Sequence, residues 1–213
     1  MQKPIALSKI ILNIVIALCI IPVSCSNGDY SFKDQARFKA DPEIIHQIQE
    51  GDILLRQGMG PMSTQIVRVM AEKNPYSHCA IACLVNDTLK AVHCISPALS
   101  NADGVQTQEL YDFFCDVADS NVAIIRPVLN DEQKKKFVAE ARRYLLQQIS
   151  FDHKFDFDDT TSFSCSELIY NCYLHSTHAN PFLFKTTDNI RLLKFDSFFN
   201  HKYFQTIWSA KQK

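Results

Sequence analysis

The sequence lacks the features that mark several specialised classes of protein. Lys and Arg total 22 against 23 Asp and Glu, so no excess of basic residues offers a footprint for nucleic acid. No internal repeat and no low-complexity tract is found, and no apolar run long enough to cross a membrane follows residue 23. The six cysteines that follow Cys25 lack the dense spacing of a disulfide scaffold, and most are typical of small buried apolar residues. What remains is an ordinary globular composition, 46% hydrophobic and 21% charged.

The N-terminus has the pattern of an export signal. Lys3 and Lys9 precede the apolar run Ile10–Val23, and a small residue stands before Cys25. This arrangement resembles the processing site of bacterial lipoproteins, although Pro22 is an unusual residue there. We expect residues 1–24 to be a lipoprotein-type signal peptide and Cys25 to carry the lipid. A plain signal cleaved nearby, or an uncleaved anchor helix, are the alternatives.

Cleavage before Cys25 would leave 189 residues with a formal charge of −3, because the removed segment carries two lysines and no acidic residue. Residues 25–40 are polar and predict a flexible tether, and residues 41–213 predict a single domain. We expect an exported, membrane-anchored monomer of the bacterial cell envelope, held at the membrane surface by its lipid, without nucleic-acid partners or a cofactor.

Hydrophobic periodicity and turn residues predict a mixture of antiparallel strands and separate helices, which is an α+β fold. Helices are expected over 41–50, 63–72, 108–114, 131–148 and 165–175. Strands are expected over 53–56, 77–85, 88–95, 121–126 and 203–208, with Asn86-Asp87 as a two-residue hairpin turn.

The most informative motif is Ser164-Cys165-Ser166-Glu167, followed by an apolar run. Ser and a Glu three residues later form a capping box, so Cys165 is expected at the first position of a helix. Unpaired N–H groups and the helix dipole favour a thiolate there. Cys165 is therefore a candidate nucleophile if a base can reach it.

The hairpin supplies candidate bases. With Asn86-Asp87 as the turn, Ala80 faces His93 across the ribbon, and His78 becomes a diagonal neighbour of His93 on the same face. A turn longer or shorter by one residue would separate the two histidines.

The apolar stripe of the Cys165 helix must be buried against another element. We expect it to pack on the hairpin face that carries Ala80 and Ala82, because small residues allow close approach. Cys165 would then lie near His78, with His93 behind to fix the orientation of the His78 ring. The alternative interpretation is a buried structural cysteine with core histidines.

The chain also resembles a known family. The motifs are Gly51-Asp52-Ile53-Leu54, Tyr76-Ser77-His78-Cys79-Ala80-Ile81, Phe151-Asp152 and Cys165-Ser166-Glu167-Leu168. In this order and spacing they are similar to the permuted papain-like amidases of the YaeF/YiiX type, relatives of the NlpC-type cell-wall peptidases. The resemblance covers roughly residues 50–175.

The resemblance implies a papain-like, circularly permuted fold in which the His-bearing strands precede the Cys-bearing helix and an antiparallel sheet packs against helices. It implies that Cys165 is the nucleophile, His78 the base and His93 the third catalytic group. Many permuted members have a residue resembling Glu at this third position. Asp152 matches a recurrent Asp that either contacts substrate or is a solvated carboxylate or cap. Ser166 either lines the cleft or faces solvent.

The leading hypothesis is therefore a thiol hydrolase acting on peptide-type amides of cell-wall material or on lipid-like acyl amides. An acyltransferase, or a non-catalytic lipoprotein that binds an amphipathic ligand, are the alternatives. A metal site built from both histidines and Cys79, Cys83 and Cys94 is disfavoured, because strand parity places these cysteines on the opposite face. In the same register Cys79 and Cys94 are opposite each other and could form a disulfide.

Overall fold

A computed structural model describes residues 41–115, 117–118, 121–187 and 190–210. The predicted signal peptide, the lipidation site Cys25 and the 25–40 tether lie outside these ranges. Among the described residues, no helix combines the length and apolarity needed to traverse a bilayer.

The helices and strands agree with the expected α+β class. The helices are α1 (Pro42–Ile45), α2 (Pro61–Met70), α3 (Leu110–Cys115), α4 (Asp131–Leu146) and α5 (Cys165–Thr177), with a 3-10 helix at Phe195–Phe199. The strands are β1 (Ile53–Arg56), β2 (His78–Val85), β3 (Thr88–Ile95), β4 (Gly104–Glu109), β5 (Val122–Pro127), β6 (Ser150–Phe151), β7 (Ser162–Phe163), β8 (Phe184–Thr187), β9 (Ile190–Leu193) and β10 (Phe204–Ser209).

Six of the strands form one antiparallel sheet in the order β10-β5-β1-β2-β3-β4. The predicted hairpin is confirmed: Asn86 and Asp87 have φ of 50° and 60°, and Val85 is opposite Thr88. Positive φ at both central residues is the requirement of the turn type that matches strand twist. The turn therefore fixes the side-chain parity of β2 and β3.

Two layers of side chains cover the two faces of this sheet. On one face, which we call the cysteine face, Cys79, Cys83 and Cys94 pack with buried residues of α4 and α5. On the other, the alanine face, Ala80, Ala82 and Ala91 pack with Leu110, Phe113 and Phe114 of α3. The central strands are thus buried on both sides, as their apolar runs predict.

Several elements differ from the sequence-based prediction. Gly104–Glu109 pairs with β3 as the edge strand β4, where we expected a loop and the start of a helix. Its alternating polar residues are typical of an edge, which hides the strand signal. The β6–β7 pair and the β8–β9 pair have no counterpart in the prediction, and α1 ends at Ile45 rather than near residue 50.

Candidate active site

The first turn of α5 has the predicted capping box. The Ser164 side chain accepts a hydrogen bond from the Glu167 amide at 3.4 Å, and the Ser164 amide donates to Glu167 Oε2 at 2.6 Å. Cys165 is consequently the first helical residue, where the backbone N–H groups have no partner within the helix.

Cys165 is half-buried, and its neighbour on the sheet is Cys79. A hydrogen bond from the Cys79 thiol lowers the pKa of Cys165, backbone N–H groups of Cys79 and Ser166 add to this, and burial and the nearby Glu167 oppose it. Burial instead raises the thiol pKa of four other cysteines: Cys79, Cys83, Cys94 and Cys172. Cys165 is thus the thiol whose surroundings favour its ionised form.

The two predicted histidines meet on the alanine face. Nε2 of His78 lies 2.8 Å from Nδ1 of His93, which is hydrogen-bond distance. His93 is buried at 4% exposure, whereas His78 is half-buried at the first position of β2. The diagonal relation predicted from the turn length is therefore confirmed.

Both imidazoles lie in surroundings that disfavour a positive charge. They contact the Phe113 ring, with ring-centre separations of 5.8 Å for His78 and 6.1 Å for His93. The central guanidinium carbon of Arg56 lies 4.4 Å from the centre of the same ring, and the guanidinium donates to the Phe113 carbonyl oxygen at 2.7 Å. Burial first, then Arg56, lowers the pKa of His93 to about 3 and that of His78 well below its ordinary value. Both rings are neutral near pH 7, as a general base must be before it takes a proton.

The predicted packing of the Cys165 helix on the alanine face is wrong. Leu168, Ile169 and Cys172 of α5 belong to the cluster on the cysteine face, and Cys165 packs against that same cluster. Parity shows which residues share a face, but it does not show which face a helix covers. Here the aromatic residues of α3 already fill the alanine face.

The structure therefore brings His78 and His93 together and places Cys165 beside Cys79, the residue that follows His78 in the chain. In the described part of the chain, the Cys165 thiol makes no hydrogen bond to either imidazole. Cys165 packs beside Cys79, and His78 contacts Phe113 at the first position of β2, so both groups lie at the same end of this strand.

Asp152 and Ser166 have definite places in the structure. Asp152 is 2% exposed, so the solvated-carboxylate alternative is wrong. Its two carboxylate oxygens accept the backbone N–H groups of Lys154 and Asp156, each at 2.6 Å, which makes it a loop cap. Ser166 is half-buried, and its hydroxyl lies 3.3 Å from that of Ser164. Contact of either residue with substrate stays a prediction.

Sequence reasoning missed three contributors to this site. The sequence predicts Cys79 as a buried cysteine opposite Cys94, with no role in the site, and Arg56 and Phe113 are not among the predicted site residues. Alternation across the hairpin predicted the face of Cys79 but could not predict that Cys165 would reach it. Arg56 had one available signal, a cation within an otherwise apolar strand.

The cysteines of the hairpin are free thiols in the structure, and Cys94 Sγ donates to the Phe163 carbonyl oxygen at 2.8 Å. Within residues 41–210, gaps excepted, no three His, Cys, Asp or Glu side chains gather as a metal-binding group. The predicted parity is confirmed, because the three cysteines pack in the cluster of the cysteine face and His78 contacts Phe113 of the alanine face.

Comparison with known proteins places the fold. The crystal structure of metalloprotein yiiX from Escherichia coli O157:H7 superposes with a TM-score of 0.63 at 17% sequence identity, covering 77% of this chain and 98% of that one. None of the curated proteins is significantly similar in sequence. The family described as permuted papain-like amidase enzyme, YaeF/YiiX, C92 family, matches residues 47–211. The chain, with its His-bearing strands before its Cys-bearing helix, belongs to this family of permuted papain-like amidases.

Proposed function

We propose that this protein is an exported thiol hydrolase that opens amide bonds, of peptide or N-acyl type, through an acyl-enzyme on Cys165. The observation that carries the proposal is the His78–His93 pair, 2.8 Å apart, next in the chain to the residue that hydrogen-bonds the Cys165 thiol. A nucleophile at a helix start, a neutral imidazole and a group that orients it are the parts of a thiol hydrolase.

The tautomer of the histidine pair determines which nitrogen of His78 acts as the base. If His78 Nε2–H donates to His93 Nδ1, then Nδ1 of His78 keeps a free lone pair. This nitrogen takes the Cys165 proton as the sulfur attacks the substrate carbonyl carbon. His93 is thus a positioning residue that holds the tautomer and the ring orientation. Because both groups are half-buried and flank the start of β2, substrate would bind at this end of the strand.

The remaining steps balance with the same groups. The carbonyl oxygen becomes an oxyanion, which the unpaired N–H of Cys165 is placed to stabilise. Collapse of this intermediate breaks the C–N bond, and the His78 imidazolium gives its proton to the departing amine. Water then attacks the thioester, His78 removes its proton, and the free carboxylic acid and thiol are regenerated.

The substrate class is tested by incubating the protein with muropeptides and with N-acyl amino acids. We expect release of an amine and a carboxylic acid from one of these classes, and no release by Cys165→Ala. An amide product formed only when an amine acceptor is added would show acyl transfer instead. Ligand binding without turnover by the unmodified protein would favour the non-catalytic lipoprotein.

The thiol is tested independently of any substrate by iodoacetamide labelling across pH, read out by peptide mass spectrometry. We expect Cys165 to be modified selectively below pH 7, with the buried Cys83 and Cys172 of the same face as internal controls. Labelling of all described cysteines only above pH 8 would contradict the proposal.

We further propose that the chain is anchored by lipid at Cys25, outside the described residues. Mass spectrometry of membrane-extracted protein is expected to show a diacylglyceryl group on an N-terminal Cys25 peptide. The Cys25→Ser variant should lose it and leave the membrane fraction. An unmodified Cys25 in membrane-bound protein would contradict lipidation.

The proposed reaction uses the chain's own groups, and we derive no step through a metal, since the described side chains offer no cluster of metal ligands. The structural neighbour is titled a metalloprotein. Elemental analysis of purified protein, with activity measured before and after EDTA, tests whether this chain also contains and needs a metal. Activity lost with EDTA and restored by a metal would contradict the scheme.

A further inference from the structure

Two buried carboxyl groups lie beneath the start of α5. Glu167 is fully buried, at 0% exposure, and Asp152 is 2% exposed. Their side chains are close enough to hydrogen-bond each other. Two carboxylates cannot do so when both are ionised, because each is then only an acceptor.

The oxygens of Asp152 are already occupied by donors. Each accepts a backbone N–H, from Lys154 and from Asp156, at 2.6 Å. Asp152 is therefore an acceptor of two hydrogen bonds, and a proton between the two groups would be donated from Glu167 to Asp152.

Glu167 has the complementary pattern. Its Oε2 accepts the Ser164 amide at 2.6 Å, but its Oε1 is buried without a partner when Glu167 is drawn as a carboxylate. A buried oxygen without a hydrogen bond costs about 1–3 kcal/mol. A proton on Oε1 that points to Asp152 removes this cost and leaves the capping box intact.

We propose that Glu167 and Asp152 share one proton at the base of α5, and that Glu167 acts through this proton as a positioning residue for Cys165. The inference rests on the proposed function only in taking Cys165 as the reactive thiol. While the proton is present, the pair carries one negative charge and the helix start is held by a neutral carboxyl group. When the proton is lost, two adjacent carboxylates face each other under Cys165.

The groups around Glu167 determine whether its ionisation favours or opposes the thiolate of Cys165. Asp152 comes from the loop after β6, Cys94 from β3, Asp103 from the turn before β4, and Cys165 from α5 itself. Burial, and then the charge of Asp152, raise the pKa of Glu167 to about 7. An ionised Glu167 in turn raises the pKa of Cys165. Loss of the shared proton near neutral pH therefore opposes formation of the thiolate.

The test compares the wild type with Glu167→Gln, in which an amide replaces the protonated carboxyl group. The amide N–H can donate to Asp152 and its oxygen can accept the Ser164 amide, so the cap is kept and the titration is removed. Infrared difference spectra between pH 5.5 and pH 8.5 should show the carbonyl band of a protonated carboxyl group in the wild type and in Cys165→Ala. The band should be absent in Glu167→Gln.

Iodoacetamide labelling of Cys165 provides the second measurement. In the wild type the rate should rise less steeply than for a single thiol around pH 7, because Glu167 ionises in the same range. In Glu167→Gln it should follow a single titration whose midpoint is shifted to lower pH, because the charge that opposes the thiolate is absent. Identical rate profiles in the two proteins would overturn the coupling, and absence of the infrared band in the wild type would overturn the shared proton.

The two experiments separate this inference from the proposed function, because neither requires turnover. An inactive protein that shows the band and the altered profile would retain the inference and lose the hydrolase. If Glu167→Gln fails to fold, the band in wild type and Cys165→Ala still decides whether a carboxyl group is protonated. A lower midpoint for loss of the band in Asp152→Asn, in which the neighbouring charge is removed, would assign it to the pair, and an unchanged midpoint there would overturn the assignment.

Discussion

Nε2 of His78 lies 2.8 Å from Nδ1 of His93, and the two rings meet nearly edge to face with an interplanar angle of 79°. His93 lies within β3 and is buried against the Phe113 ring, whereas His78 is half-buried at the first position of β2. One ring is therefore fixed by packing, and the other is held by a hydrogen bond that leaves its second nitrogen available.

We expect His93→Ala to lower kcat/KM by about 10²-fold, since His78 would lose its orientation and its tautomer. His93→Glu should recover part of the loss and move the acidic limb of the pH–rate profile to higher pH, because a carboxylate stabilises the His78 imidazolium and raises its pKa. Steady-state kinetics over pH 5–9 checks both variants. Equal losses in Ala and Glu, with unchanged profiles, would show that His93 is only a packing residue.

Cys79→Ala should raise the pKa of Cys165, because the largest contribution that lowers it is the hydrogen bond from the Cys79 thiol. The measurement is the iodoacetamide labelling rate of Cys165 at pH 7, which should fall in Cys79→Ala and recover in Cys79→Ser, where a hydroxyl donor is restored. Cys83→Ala, on the same strand face but away from Cys165, is the matched control. A comparable fall of the labelling rate in the control would show that the effect comes from a general loss of packing.

Gly104→Ala should destabilise the fold by more than about 2 kcal/mol, beyond the cost of its positive φ alone. Gly104 has φ +80°, and a Cβ there would lie 2.0 Å from the Ile149 carbonyl oxygen. This contact joins β4 to the segment that leads into Asp152, so the loop beneath Cys165 should loosen. Gly60→Ala is the control: its φ is +95° and the space around it is open, so only backbone strain applies. Urea unfolding of both variants gives the comparison.

The stability difference between Glu167→Gln and wild type should depend on pH. The folded-state pKa of Glu167, about 7, lies above its ordinary value of 4.5, so the folded state binds more protons than the unfolded state between these limits. The wild type should therefore lose stability as pH rises from 4.5 to 7, by up to about 3 kcal/mol relative to the Gln variant. The difference should be constant above pH 8 and below pH 4.

The two histidines act in the opposite direction, which is why the variant comparison is needed. Burial lowers the pKa of both imidazoles in the folded state. The unfolded chain therefore binds more protons below pH 6.5, and the fold loses stability as pH falls from 6.5 toward 3. Urea midpoints of wild type and Glu167→Gln at matched pH cancel this shared term. A difference that does not change with pH would contradict the titration of Glu167.

The sequence predicts the local parts of this molecule well and its packing less well. The capping box at Ser164 and the two-residue turn at Asn86 depend on a few neighbouring residues, and both are found as expected. The side of the sheet that α5 covers depends on competition with α3 for the alanine face, and no local pattern encodes that competition. The β8–β9 hairpin is short and partly exposed, so neither burial nor alternation marked it.

The Asp152–Glu167 contact is a second example of this limit. Phe151-Asp152 and Cys165-Ser166-Glu167 both belong to the family motifs in the sequence, but the two acids stand 15 positions apart. The parallel pairing of β6 with β7, which sets Phe151 opposite Phe163, brings the two motifs together. Such short parallel pairings leave almost no periodic signal.

The turn at Asn86 and Asp87 lies six or more positions from either histidine, yet the chemistry depends on its length. Its residues can be exchanged for others that accept a positive φ, such as Gly, without moving the imidazoles. An inserted or deleted residue would instead turn one imidazole to the side that holds the thiols. This turn should therefore tolerate substitutions but not insertions, although no substrate touches it.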